Sequence, residues 1–208
     1  MNHTYLDNLD EISKDIKNAS IRSGDNIKLV LVSKSQEKKS IERIYKLGYR
    51  NFGENYLQEA KEKIQSLNDY DIEWHYIGKI QSNKIKEIVK LFNWVHTVSS
   101  RKHMDMIEKF SEEYNKIINI CIQINIDNEE SKSGISLDQI DDFMNITESY
   151  RKIRTRGIMA IPSKTNALNK KEESYELLSK KFIELREKFK NFDTLSLGMS
   201  NDYKLALA

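Results

Sequence analysis

Lys34 is the residue whose chemistry is sharpest. It directly follows a short apolar run over residues 28–33, so its amine stands where a strand ends. A lysine held in apolar surroundings loses its charge readily and becomes a nucleophile toward aldehydes. An ordinary solvated lysine stays open as the alternative, because most lysines are exposed. Gly198, Met199 and Ser200 lie between a second apolar run and a helical pattern. Backbone N–H groups at a helix start, with a serine hydroxyl, would cradle an anion; a plain serine N-cap would look the same. Asn55, in Phe52-Gly53-Glu54-Asn55, offers an amide beside a carboxylate, or simply a helix cap. Lys132, in Ser131-Lys132-Ser133-Gly134, is either a second amine or a surface-loop lysine. Met159 stands near the end of a further apolar run. His75 and His96 fall inside apolar runs and read as hydrogen-bonded interior histidines. Cys121 is the one cysteine, and neither an H-x-x-x-H pair nor a Cys/His cluster is present, so a metal site is not expected. No catalytic triad can be argued from spacing.

The elements that must position these residues alternate along the chain. Strands are expected at 28–33, 49–53, 72–78, 94–98, 117–126, 153–161 and 193–198. Each is short, apolar and bounded by turn residues. Helical spacing separates them: Ile41, Ile44 and Tyr45 before Gly48; Leu57, Ala60, Ile64 and Leu67; Ile85, Ile88, Val89 and Phe92; Met104, Ile107 and Tyr114; Ile140, Phe143 and Met144; Tyr175, Leu178, Phe182, Leu185 and Phe189. Leu6, Leu9, Ile12 and Ile16 predict a leading helix, and residues 200–208 a trailing one. Ser136 and Gln139 have capping-box spacing. Strict alternation predicts a parallel sheet with right-handed crossovers, whose active face lies at the carboxyl ends of the strands. An open doubly wound sheet would usually carry a G-x-G-x-x-G turn after its first strand, and Val32-Ser33-Lys34 has none. A (β/α)8 barrel is the other candidate, although barrels typically need about 250 residues.

Composition narrows the function classes. The 208 residues carry 34 Lys+Arg against 32 Asp+Glu, a net charge of +2 that excludes nucleic-acid affinity built on bulk charge. No apolar run is long enough to span a membrane, and no signal peptide is visible. A cytoplasmic protein with one domain over residues 1–208 is expected.

Seven stretches, taken together and in order, resemble a known family. They are LVLVSKSQ (29–36), FGENYLQEAKEKI (52–64), EWHYIGKIQSNK (73–84), WVHTV followed by serine (94–99), IQINIDNEESKSGI (122–135), RGIMAIP (156–162) and LSLGMSND (195–202). They are similar to the pyridoxal phosphate homeostasis proteins, which resemble the N-terminal barrel domain of alanine racemase. The resemblance implies an α/β fold of the (β/α)8 TIM type that carries pyridoxal 5′-phosphate as a Schiff base on Lys34. It implies a phosphate cup that includes Gly198, Met199 and Ser200, with Asn55, Met159 and Lys132 around the mouth. It implies a protein that holds and delivers the cofactor, with PLP-dependent apoenzymes as partners, no catalytic residues of its own and a monomeric state. Two alternatives stay open: a PLP-dependent amino-acid racemase or lyase, and a cofactor-free barrel serving as an interaction module. A two-base racemase needs an acid or base on each face of its substrate; related racemases take the second from a further β domain, for which this chain has no room.

The sequence departs from the family at Ile80, usually Leu, and at Lys79, often Pro or His. It also stops before the family's last strand, with its small-residue run and Arg-x-Gly. The expected barrel therefore lacks its eighth strand, leaving the first and seventh strands as edges and the barrel marginal.

Overall fold

A computed structural model describes residues 5–127, 129, 133–162 and 168–208. Helix α1 (Tyr5–Ser23) leads. Then follow β1 (Leu31–Val32), α2 (Lys38–Lys46), β2 (Asn51–Glu54), α3 (Leu57–Ser66), β3 (Glu73–Tyr76), α4 (Ile85–Leu91), β4 (Trp94–Val98) and α5 (Arg101–Glu113). The second half holds β5 (Ile118–Ile124), α6 (Ile140–Thr147), β6 (Ile153–Ala160), α7 (Leu168–Lys188), β7 (Thr194–Ser196) and α8 (Tyr203–Ala206). Every adjacent strand pair is parallel, and the order across the sheet is β1-β2-β3-β4-β5-β6-β7. This order is that of a TIM-type barrel, with seven strands among the described residues.

The sheet is strongly curled. In a flat sheet β4 and β7, three ladder spacings apart, would lie roughly 14 Å from each other. Yet His96 Nδ1 on β4 is 2.8 Å from Ser196 Oγ on β7. Only a sheet wrapped around a lumen brings those side chains together.

Alternation along each strand sorts residues between lumen and helices. On β5, Ile118, Ile120, Ile122 and Ile124 join the main core with Met104 and Ile107 of α5 and Ile140 and Met144 of α6. Cys121 faces the other way and clusters with Trp94 and Met159 inside the curl. The α7 stripe behaves as its spacing predicts: Tyr175, Leu178, Phe182 and Leu185 are buried. At the amino ends of the strands, polar pairs floor the lumen. Trp94 Nε1 donates to Glu73 Oε1 at 2.7 Å. Arg156 donates to Asp193 Oδ1 at 2.9 Å and to Asn119 Oδ1 at 3.1 Å. Gly157 shows how closely the strands run there: a Cβ would stand 1.5 Å from the Thr194 carbonyl oxygen.

Three elements differ from expectation. β1 keeps only Leu31–Val32 of residues 28–33, because β2 is its one ladder neighbour. The expected trailing helix over 200–208 contracts to Tyr203–Ala206, with Asp202 and not Ser200 at its N-cap. Ser136 and Gln139 do meet, with Gln139 Oε1 accepting from the Ser136 N–H at 3.1 Å, but they cap a 3-10 turn ahead of α6.

In the middle of the lumen, His75 Nδ1 lies 2.9 Å from His96 Nε2, and His75 Nε2 lies 3.1 Å from Asn51 Oδ1. Burial, with the neighbouring His96 adding to it, pulls the His75 pKa down to about 2; burial pulls that of His96 down to about 4. Both rings are therefore neutral in the folded protein at neutral pH. The unfolded chain binds more protons below about pH 6.5, so stability is full above that value and falls as pH drops. Below about pH 6 each histidine should remove at most roughly 1 kcal/mol of stability per pH unit. Urea unfolding at several pH values checks this: a His75→Gln/His96→Gln variant should lose the steep part of the dependence.

Candidate functional site

β1 and β2 deliver Lys34 and Asn55 at their carboxyl ends, and β6 and β7 deliver Met159 and the Gly198–Ser200 segment. Lys132 lies outside the described residues. Lys34 is exposed in a turn rather than enclosed by apolar side chains. What distinguishes it is how its neighbours are held. The Ser33 N–H donates to the Gly53 carbonyl at 2.9 Å, extending the β1–β2 ladder to the residue before it. The Ser33 hydroxyl donates to Glu54 Oε1 at 2.6 Å. Lys63, on the first buried face of α3, donates to the Ser33 carbonyl, to Glu54 Oε1 at 2.8 Å and to Glu59 Oε1 at 2.6 Å. Glu59 Oε1 also accepts from the N–H of Ser35, a residue with φ of 59°. Both residues flanking Lys34 are thus tied to one charged cluster, which fixes the turn and leaves the Lys34 amine outward at the rim.

The cluster is dry. Glu54 is 0% exposed and Lys63 is buried. The hydrogen bond from Lys63, chief among several contacts, holds the Glu59 carboxyl below the usual carboxylate range. Glu54 Oε2 is buried with no hydrogen-bond partner among the described residues, and so is Asn55 Oδ1 next to it. Buried polar atoms are normally satisfied, so the orphaned Asn55 oxygen at the mouth marks a position suited to a donor from outside the chain.

Gly198 has φ of +80°, and a Cβ there would stand 3.0 Å from Ala206 Cβ and 3.1 Å from Tyr203 Cα. The loop packs its backbone directly onto α8, which only glycine allows. The Met199 N–H, expected as part of the anion cradle, donates to Asp202 Oδ1 at 2.7 Å. The Asp202 N–H in turn donates to the Met199 carbonyl at 3.0 Å. Met199 and Ser200 are exposed, Gly198 partly so. Met159 is buried beside Cys121 and Trp94, level in the ladder with Gln123 and Ser196. It is a wall of the lumen rather than a rim residue.

Across the mouth, a cavity of about 230 Å³ opens at the carboxyl ends of β3 to β6, lined by Ile77, Lys79, Thr97, Gln123, Asn125 and Ile161 among others. Strand-end reasoning does not reach Gln123 and Thr97, which lie inside strands. It also misses Lys63. The only signal for it was the Glu59–Lys63 spacing, which on an exposed helix face is a common surface pair.

Removing the Lys63 ammonium would leave Glu54 as an uncompensated buried charge. Lys63→Met should cost about 3–5 kcal/mol. Glu54→Gln, which keeps Lys63 paired with Glu59, should cost less. Denaturant unfolding of the two variants checks the order.

Residues 8–207 match the family model described as alanine racemase, N-terminal domain. The chain is 36% identical over 211 residues to the pyridoxal phosphate homeostasis protein of Pasteurella multocida, covering 98% of this chain and 91% of that protein. It is 35% identical over 207 residues to the one of Escherichia coli strain K12, covering 97% and 88%. Among solved structures, PipY of Synechococcus elongatus with PLP bound superposes with a TM-score of 0.79 at 28% identity, covering 93% of this chain and 92% of that one. An alanine racemase of Clostridium difficile, 13% identical with a TM-score of 0.68, shares the fold over 52% of its own length. This chain belongs to the pyridoxal phosphate homeostasis protein family, built on the alanine racemase N-terminal fold.

Proposed function

We propose that this chain, as a single cytoplasmic domain and a monomer, holds pyridoxal 5′-phosphate at the mouth of its barrel and yields it to PLP-dependent apoenzymes without strong turnover of its own. The observation that carries the reading is the clamped turn: a lysine at the carboxyl end of β1, with both flanking residues fixed, in a fold whose relative PipY was solved with PLP bound. When bound, the group supplies an electrophilic aldehyde, a phosphate dianion and an electron-withdrawing ring. Lys34 would hold the aldehyde carbon. The residues present fit the rest: a buried Asn55 oxygen without a partner, a loop at Gly198 held in a conformation that glycine alone adopts readily, and the wall at Met159. Lys132 belongs to the same proposed site.

The exposed Lys34 rim suits exchange. An amine in a turn open to solvent admits an acceptor amine as readily as it admits the cofactor. Low turnover has its own support. Proton transfer at the mouth would need a positioned acid or base, and the two lumen histidines have all four ring nitrogens engaged by Asn51, Ser196 and each other.

Two outcomes follow. With added cofactor and borohydride, the unmodified chain should be fixed at one dominant peptide, the one that contains Lys34. Lys34→Ala should give no dominant peptide, and a variant labelled at one site elsewhere would displace Lys34 from the reading. Incubated with cofactor and L- or D-alanine, the protein should turn over far below the median enzyme value of about 10 s⁻¹. Chiral chromatography of the product measures it, and turnover near that median would make the protein a racemase.

A further inference from the structure

The lumen chain that joins Asn51, His75, His96 and Ser196 crosses from β2 to β7, and its direction follows from the Asn51 amide having its oxygen turned toward His75. Asn51 Oδ1 can only accept. His75 Nε2 therefore carries a proton and donates to it, which leaves His75 Nδ1 as an acceptor for the N–H of His96 Nε2. His96 Nδ1 is then an acceptor too, and the Ser196 hydroxyl donates to it at 2.8 Å. Burial keeps both rings neutral, so each has one donor and one acceptor and neither can reverse alone. The rings are also held by packing: His75 stacks on Trp94 with centroids 5.5 Å apart and planes 19° apart, and His96 lies 5.7 Å from the same indole.

Ser196 is the last residue of β7, and among the described residues β7 has β6 as its one ladder neighbour. The loop with Gly198 begins immediately after it. Backbone pairing to β6, through Gly157↔Thr194 and Met159↔Ser196, fixes the strand along one side. The bond to His96 fixes it from across the lumen. A strand end with one partner would otherwise swing with its loop.

We infer that Ser196 and His96 are positioning residues for the anion loop at Gly198–Ser200, so that the Asn51–His75–His96–Ser196 chain sets the preference of the site for a phosphorylated over a phosphate-free aldehyde. This rests on the cofactor reading above. Ser196 touches no part of the bound group in this assignment; it acts through the backbone that it anchors.

The experiment measures, by absorbance titration, affinities for pyridoxal 5′-phosphate and for pyridoxal in the unmodified chain, in Ser196→Ala and in Ser196→Thr, which keeps the hydroxyl. Thermal midpoints are recorded alongside. Ser196→Ala should lower the ratio of the two affinities about tenfold, as losing one hydrogen bond's free energy from the phosphate arm alone would do. Ser196→Thr should restore the ratio to within about threefold of the unmodified chain, since its hydroxyl can make the same bond. A ratio unchanged in Ser196→Ala, whether both affinities hold or both fall together, overturns the inference and leaves the cofactor reading intact. If the unmodified chain captures neither aldehyde, the cofactor reading itself fails. A second measurement then decides on the unmodified protein, with inorganic phosphate as the probe. Ring ¹⁵N shifts should show both histidines protonated at Nε2, and the His96 Nδ1 signal should move as phosphate is added. A proton on Nδ1 of either ring, or a His96 signal indifferent to phosphate, overturns it.

Discussion

A parallel sheet covered by helices on one face and rolled on itself shields the polar groups on its inner face from bulk solvent. Every polar side chain in that lumen must find a partner in the protein or stay uncharged. The Asn51–His75–His96–Ser196 chain meets this constraint with neutral groups, each donating to the next. The floor of Glu73, Trp94, Asn119, Arg156 and Asp193 meets it with charges paired at the more open amino end. Against that histidine chain packs the small apolar cluster of Trp94, Cys121 and Met159. The lumen is therefore graded from ionic floor to neutral polar waist, and the curl of the sheet depends on that waist because it spans from β4 to β7.

At the rim the same constraint acts differently. Glu54 and Lys63 are buried charges, and a buried pair stands only when its geometry is complete. Completing it draws in the Ser33 hydroxyl, the Ser33 carbonyl and Glu59, so the turn that bears Lys34 becomes part of the solution. Lys34 itself stays exposed. A scaffold so arranged separates rigidity, which belongs to residues 33 and 35, from access, which belongs to residue 34.

Much of this was legible in the residues. Alternating apolar runs and helical stripes placed all seven strands, and strand-end logic picked out Lys34, Asn55 and Gly198–Ser200 before any coordinates. The seven ordered stretches carried the family. What could not be read is what depends on register. His75 and His96 each look like isolated interior histidines; their meeting depends on the pairing of His75 with Trp94 across the β3–β4 ladder. Ser196 is an unremarkable strand serine until the sheet closes on His96. Lys63 looks like the outer half of an i, i+4 pair, and only the packing of α3 against β2 turns it inward. The β1 boundary was overextended because residues 28–30 are as suited to a strand as residues 31 and 32, and the number of ladder neighbours, which ends the strand, is a property of the sheet. The family resemblance puts Met159 around the mouth, and side-chain alternation turns it into the lumen, level with Gln123 and Ser196.

The two polar assemblies differ in how much of the chain they need. The clamp around the Lys34 turn closes between residues 4 to 30 positions apart, so the first two strand–helix units contain all of it. The lumen bond between His96 and Ser196 joins residues 100 positions apart. Loop closure over that span is slow, because chain entropy is given up long before the contact repays it. On a ribosome, where the amino-terminal part of the chain emerges first, every residue of the Lys34 clamp is available before the Gly198 loop is synthesised, and the contact between His96 and Ser196 closes only in the last stage of folding.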